Sequence, residues 1–182
     1  MEYELIRSNR KTLAIEIKGD SLLVRAPLRA THADITAFLQ KHKEWIDKHL
    51  EKSRAQQAVA AEMKLTMDDI RALADRAMEV IPARVKYYAP LVGVTYGRIT
   101  IRNQRSKWGS CSSKGNLNFN CLLMLAPAEV LDSVVVHELC HRKEMNHSDR
   151  FYAEVLRVFP QYHKCHKWLK ENGPFLMSRM ID

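Results

Sequence analysis

Two histidines four residues apart, with a glutamate after the first, stand in an apolar run as His137-Glu138-Leu139-Cys140-His141. On a helix, positions i and i+4 share a face, so both imidazoles can grip one Zn²⁺ while Glu138 reaches a water on the ion. Such an ion draws the pKa of its water towards about 7 and polarises a carbonyl or phosphoryl oxygen. Glu138 is then placed to take the proton as general base and pass it to the leaving group. The bland alternative is two histidines on an ordinary amphipathic helix, and the surrounding sequence has to decide between them.

A catalytic zinc needs three protein ligands and one open position. His147, ten residues after His137, lies past the helix where a returning chain can bring it to the same point. Glu154, on the next helix, is the competing third ligand. His163 and His166 read as solvent-facing or as neighbours of the ligands, and His32, His42 and His49 as surface groups. Cys140 occupies a spacer position of the pentad and reads as packing. Ligation requires neutral imidazole, so such a site should fail at acidic pH. Arg105 and Lys107, in a turn before the helix, could stabilise developing charge, or be plain surface charge. Arg142-Lys143, directly after the second histidine, departs from the uncharged continuation common in zinc proteases.

These residues need elements to hold them. Alternation predicts a weak strand over 3–7, a clear one over 12–18 with Leu13, Ile15 and Ile17 on one side, and a return over 21–26 after a Gly19-Asp20 turn. Thr31 with Asp34 and Thr66 with Asp69 predict capping boxes. The first opens one long helix whose apolar face is Ile35, Phe38, Leu39, Trp45, Ile46 and Leu50. The second opens a helix that Pro82 should kink or interrupt and that Pro90 and Gly93 should close. Residues 94–102 read as a strand. Small polar residues follow, and then Leu117–Asn120 with an apolar continuation to Leu125, which suggests a three-stranded antiparallel sheet. Pro127 suits the first turn of a helix over 128–144. A helix with Phe151, Val155, Leu156 and Phe159 follows, and a last one carries Tyr162, Trp168 and Leu169 up to Gly173-Pro174.

The chain of 182 residues, 46% hydrophobic and 27% charged, suits one domain plus an extension. We expect boundaries at 1–62 and 63–182, the two parts forming one compact unit. No apolar run approaches the roughly 20 residues of a membrane span. The acidic start, Met1-Glu2-Tyr3-Glu4, lacks an apolar signal segment, so a cytoplasmic protein with no membrane partner is expected. Cys111, Cys121, Cys140 and Cys165 form no C-x-x-C pair and read as reduced thiols. Net charge is +8, compatible with nucleic acid or acidic partners. No basic stretch interleaved with aromatics supports RNA binding.

The block Arg105-Ser106-Lys107-Trp108-Gly109-Ser110-Cys111, then Asn116–Asn120, the pentad, and Asn146-His147-Ser148 resemble the YgjP-like metallopeptidases, which are related to the SprT-like and WLM zinc proteases. The resemblance implies an α+β fold: a zincin-like core with a small antiparallel sheet packed on the HExxH helix, plus an N-terminal β-hairpin and helix. It implies Zn²⁺ at His137, His141 and His147, Glu138 as catalytic base, and Trp108 and Ser110 near the substrate. The expected activity is a zinc-dependent metallohydrolase, foremost a peptidase acting on peptides or proteins. Some members are labelled UTP pyrophosphatases, so a nucleotide substrate at the same site is the alternative. A third possibility is a non-catalytic, nucleic-acid-associated zinc module. The absence of a P-loop, a Gly-rich phosphate cradle or an acidic Mg²⁺ cluster tilts the choice towards amide hydrolysis.

Overall fold

Thr31 and Thr66 each accept a hydrogen bond from the N–H three residues on, while Asp34 and Asp69 reach back to the threonine N–H. These bonds hold both carboxyls below the ordinary carboxylate range. The computed structural model describes residues 2–18 and 20–180, so Gly19 of the expected turn lies outside the described residues. The chain divides into two compact units, Met1–Met63 and Lys64–Asp182.

In the first unit β1 (Glu4–Ser8), β2 (Ala14–Lys18) and β3 (Ser21–Pro27) form a sheet in the order β1-β3-β2. β2 and β3 are the expected antiparallel hairpin, and β1 runs parallel to β3. Leu22, Val24 and Ala26 alternate into a small core with Ile35, Leu39 and Ile46. The single long helix is divided into α1 (His32–Lys41) and α2 (Lys43–Glu62). At the break the His42 N–H is shared between the carbonyls of Leu39 and Phe38, which tightens the last turn. Trp45, expected on the apolar face, is 44% exposed and stacks on His49 instead.

The second unit carries α3 (Met67–Val92), β4 (Ile99–Arg102), β5 (Gly109–Cys111), β6 (Leu117–Asn120), a 3-10 turn over Cys121–Leu125, α4 (Ala128–Cys140), α5 (Asp149–Val158) and α6 (Tyr162–Ser178). The fold is α+β, and its sheet order is β4-β6-β5. β5 and β6 pair antiparallel, but β4 and β6 are parallel, so the sheet is mixed rather than antiparallel. Successive strands alternate in direction, and the last one is inserted in the middle. The central strand is the most buried of the three, with Leu117 and Phe119 fully covered, and the short Gly-Ser-Cys strand takes an edge. The apolar run after Asn120 becomes a 3-10 turn because the Asn120 side chain caps the Leu122 N–H.

Neither proline signal ends its helix. α3 runs through Pro82 and Pro90 to Gly93, whose φ of 80° closes it, and α6 runs through Pro174 to Ser178. Each proline removes the bond to the carbonyl four residues back. Those carbonyls belong to Met78, Lys86 and Lys170, all exposed positions where water can replace the lost donor. α4 packs against α3, α5, α6 and β5, so the pentad sits in the middle of the unit. Among the described residues no helix is long and apolar enough to cross a membrane.

Candidate metal centre

α4 is apolar nearly all round because it is buried nearly all round: Val130, Val135, Val136, Leu139 and Cys140 are all at most 1% exposed. Its last turn carries the pentad. His137 and Glu138 lie inside the helix, and His141 is its C-cap with φ −62° and ψ −13°, still helical. The i, i+4 geometry is therefore kept, and the two Nε2 atoms lie 3.2 Å apart. Residues 142–148 turn the chain back, and His147 brings its Nε2 to 3.1 Å from that of His137. The ligand-capable atoms of the three residues all lie within 4.8 Å of one another. Donors held at about 2.0–2.1 Å around a tetrahedral zinc stand roughly 3.3–3.4 Å apart, so the three imidazoles fit one ion.

The remaining ring nitrogens point the same way. His141 Nδ1 lies 3.0 Å from the Glu144 carbonyl, which can only accept, so Nδ1 carries the proton and the lone pair of the neutral ring is on Nε2. His137 Nδ1 lies 2.8 Å from the Tyr162 hydroxyl, which fixes the orientation of that ring. Burial, joined by the neighbouring His141, His147 and His166, pushes His137 down to about 3. Burial also lowers His141, against the pull of the Glu144 carbonyl. In the metal-free chain both rings are thus neutral at pH 7, the form a metal requires. Phe151 lies beneath all three imidazoles, with ring centroids 4.8, 4.6 and 4.9 Å from those of His137, His141 and His147.

Glu138 is 5% exposed. Its Oε2 is buried without a hydrogen-bond partner. Burial pushes its carboxyl up to about 8, opposed by the charge of Lys107. A buried acceptor left unpaired is costly, by about 1–3 kcal/mol, so this carboxyl is aimed at something the protein alone does not supply. Gly109 makes room for it: a Cβ there would stand 2.6 Å from Glu138 Oε1. A cavity of about 400 Å³ opens beside Glu138, between α4, α6 and the segment Ser106–Gly109.

Of the residues expected near substrate, Lys107 and Trp108 line this cavity. Arg105 is exposed and outside its wall. Ser110 lies on β5, half-buried, where its hydroxyl accepts from Asn118 Nδ2 at 3.2 Å. Glu154, the competing third ligand, is turned away: it pairs with Lys143 at 3.0 Å and Arg157 at 2.9 Å. The basic pair after the pentad has structural work. Arg142 donates to the carbonyls of Thr95 and Ser113, and Lys143 holds Glu154. Cys140 is buried with its thiol pushed up to about 12, mainly by burial, and all four cysteines are free.

Four contributors went unassigned at the sequence level. Tyr162 and Phe151 stood out only as apolar-face residues. Gly109 lay inside the Trp108 block, where a glycine after a tryptophan was the available signal. Asp132, on α4 ahead of His137, receives Arg84 at 2.6 Å through two nitrogens and the Tyr88 hydroxyl at 3.1 Å, anchoring α4 to α3. No pattern in the sequence marks that pair, whose members are 48 residues apart.

Among known proteins, a segment of 60 residues is 35% identical to the UTP pyrophosphatase of Escherichia coli (strain K12). That match takes in 33% of this chain and spans 36% of the length of that protein. Two crystal structures of metallopeptidase zymogens are similar in part. Pyrococcus abyssi abylysin is 20% identical with a TM-score of 0.46, over 50% of this chain and 94% of that one. Methanocaldococcus jannaschii jannalysin is 21% identical with a TM-score of 0.45, over 50% and 95%. The YgjP-like metallopeptidase domain model matches residues 11–70 and 61–172, and with that coverage the chain belongs to the YgjP-like metallopeptidase family, a family of metal-dependent hydrolases.

Proposed function

We propose that the chain is a zinc-dependent peptidase whose chemistry resides in residues 63–182. His137, His141 and His147 hold the ion, and Glu138 is the general base. The observation that carries this is the convergence of three Nε2 atoms beside a buried carboxyl with an orphaned oxygen. When bound, zinc supplies Lewis-acid polarisation of the scissile carbonyl and makes water acidic enough to be deprotonated near pH 7. Glu138 accepts the water's proton at its carboxylate and returns it to the departing amine. Tyr162 and the Glu144 carbonyl keep two imidazoles aimed, and Phe151 keeps the rings from collapsing into the space below them.

A peptide is favoured by β5. It is an edge of the sheet and carries Gly109 against Glu138. Asn120 N–H binds the Trp108 carbonyl and Ser112 N–H the Asn116 carbonyl, so the alternation of an antiparallel ladder turns the backbone groups of Gly109 and Cys111 outward. An extended chain can add to such an edge by main-chain hydrogen bonds. A triphosphate substrate finds support in the basic residues Lys107 and Lys170 of the cavity wall and in the partial likeness to a UTP pyrophosphatase.

The test compares zinc-loaded wild type with Glu138→Gln on a peptide library read by mass spectrometry and on UTP read by pyrophosphate release. Peptide cleavage lost in Glu138→Gln supports the proposal. UTP hydrolysis lost in Glu138→Gln, with no peptide cleaved, would replace the peptidase with the pyrophosphatase. Activity surviving in Glu138→Gln would sink the role given to Glu138.

A further inference from the structure

One stripe of α6 runs along the cavity from the metal centre outward, Tyr162, His166 and Leu169 with Lys170, and continues beyond it to Gly173, spaced three or four residues apart. Tyr162 meets His137 at one end. At the other end a Cβ on Gly173 would lie 3.2 Å from the Trp108 ring, so the missing side chain lets the indole lie against the helix. Lys107 approaches from the opposite side, on a loop held by Asn120, whose Nδ2 donates to the carbonyls of Gln104 at 2.6 Å and Lys107 at 3.0 Å. Elsewhere on α6 the lysines are paired: Lys164 with Glu129 and Lys167 with Glu171. Among the described residues neither Lys107 nor Lys170 has a carboxylate in ion-pair reach. Among the described residues that line the cavity Glu138 is the sole acidic one, and its role lies at the metal.

On the zinc-peptidase assignment above, we propose that this cavity is a substrate subsite for an anionic group, read by Lys107 and Lys170 over an apolar floor of Trp108 and Leu169. The preferred substrate is a peptide with Asp or Glu beside the scissile bond. The methylenes of an acidic side chain lie on the indole and leucine, and its carboxylate ends between two ammonium groups. Exposed ion pairs of this kind contribute roughly two- to fivefold each, so the pair together favours Glu over Gln by about tenfold.

The full-length, zinc-loaded protein is titrated calorimetrically with four peptide hydroxamates that differ only in the flanking side chain: Glu, Gln, Leu or Lys. The hydroxamate anchors to the zinc, so binding is read without turnover. The Glu compound should bind about tenfold tighter than the Gln compound at low salt, with the ratio shrinking several-fold at 0.5 M salt. Lys170→Gln should weaken the Glu compound two- to fivefold and leave the Gln compound unchanged, while Lys170→Arg keeps the preference. Equal binding of Glu and Gln compounds would overturn the subsite and leave the peptidase standing. If no hydroxamate binds the zinc-loaded protein, the peptidase assignment fails and the subsite is tested with UTP on the same sample. A Kd for UTP raised two- to fivefold by Lys170→Gln supports an anion subsite, and an unchanged Kd overturns it.

Discussion

Glu138 should make the metal-free protein lose stability as the solution turns alkaline. Its carboxyl titrates at about 8 when folded against an ordinary value of 4.5. A carboxyl raised on folding is protonated in the native state where the unfolded chain has already lost its proton. Its favourable contribution is complete below pH 4.5 and is lost as pH climbs to 8. Over that span of about three and a half pH units, at about 1.36 kcal/mol per unit, the loss comes to about 5 kcal/mol. Part of the range is masked. His137 is lowered from 6.5 to about 3, so from pH 6.5 down to 3 it contributes the opposite slope. His141 and His166 are lowered too, and because unfolded imidazole is still half protonated at pH 6.5, each of the three opposes Glu138 by up to about 0.4 kcal/mol above that pH. The four thiols, all raised above 9.0, add little below pH 8, so a comparison with Glu138→Gln, which keeps the histidines, isolates the carboxyl. Set against Glu138→Gln, the expected fall between pH 6.5 and 8 is about 2 kcal/mol.

The measurement is urea unfolding of metal-stripped protein at pH 6.5, 7.2 and 8.0, followed by tryptophan fluorescence. A Trp45→Phe background confines the signal to Trp108 and Trp168, both in the second unit. From pH 6.5 to 8 wild type should lose about 2 kcal/mol relative to Glu138→Gln. Glu138→Gln has no proton to release there, so over the same window it should hold level or rise slightly through its histidines, whatever its absolute stability. Saturating zinc should flatten the wild-type curve, because a cation beside the carboxyl favours its charged form. A wild-type fall that Glu138→Gln reproduces would refute the reasoning, as it would then belong to another group.

Tyr162→Phe removes the hydroxyl that holds His137 Nδ1 and should loosen zinc by roughly 10- to 100-fold, read by competition with a chelator. An unchanged affinity would show that packing alone orients the ring. Gly109→Ala forces a methyl to within 2.6 Å of Glu138 Oε1, so it should cost about 1–3 kcal/mol and sharply reduce turnover at saturating zinc. Retained turnover would mean the carboxyl can move aside without penalty. Asp132→Ala leaves the Arg84 guanidinium and the Tyr88 hydroxyl without their carboxylate. The expected loss is roughly 2–4 kcal/mol in urea unfolding, less than for a fully buried pair because Arg84 remains 37% exposed. A loss under 1 kcal/mol would make the pair incidental.

What could be read ahead of the structure was whatever depends on neighbours in the chain. The i, i+4 pentad, both capping boxes and the helical stripe of α3 follow from spacing, and the structure has each of them. His147 was within reach of the same logic, since a break after the helix and a short return leave few places for it to go. The errors share a cause. Pro174 was read as the end of its helix from a local penalty of about 3 kcal/mol, but it falls where water can serve the freed carbonyl. The parallel pairing of β4 with β6 depends on which strand takes the covered centre, a comparison across about 20 residues. Asp132 and Tyr162 acquire their roles only through partners 48 and 25 residues away.

The residues missed have one thing in common with Glu138: each serves a site that costs the fold something. Glu138 Oε2 is buried with no partner, and the Nε2 atoms of His141 and His147 both lie within hydrogen-bond range of that of His137. A fold selected only for stability would turn these groups outward or pair them. Here Gly109 clears space for the carboxyl, Phe151 closes the floor beneath the rings, and Tyr162 and the Glu144 carbonyl hold the outer nitrogens. Each prevents a relaxation that would relieve the conflict. A divalent cation resolves it, since one positive centre satisfies the lone pairs and favours the charged carboxylate. The strain and the chemistry thus have the same residues as their source. Substitutions that soften the metal-free conflict should therefore raise stability without metal while weakening zinc binding, and Glu138→Gln above pH 7 is the first place to see that opposition.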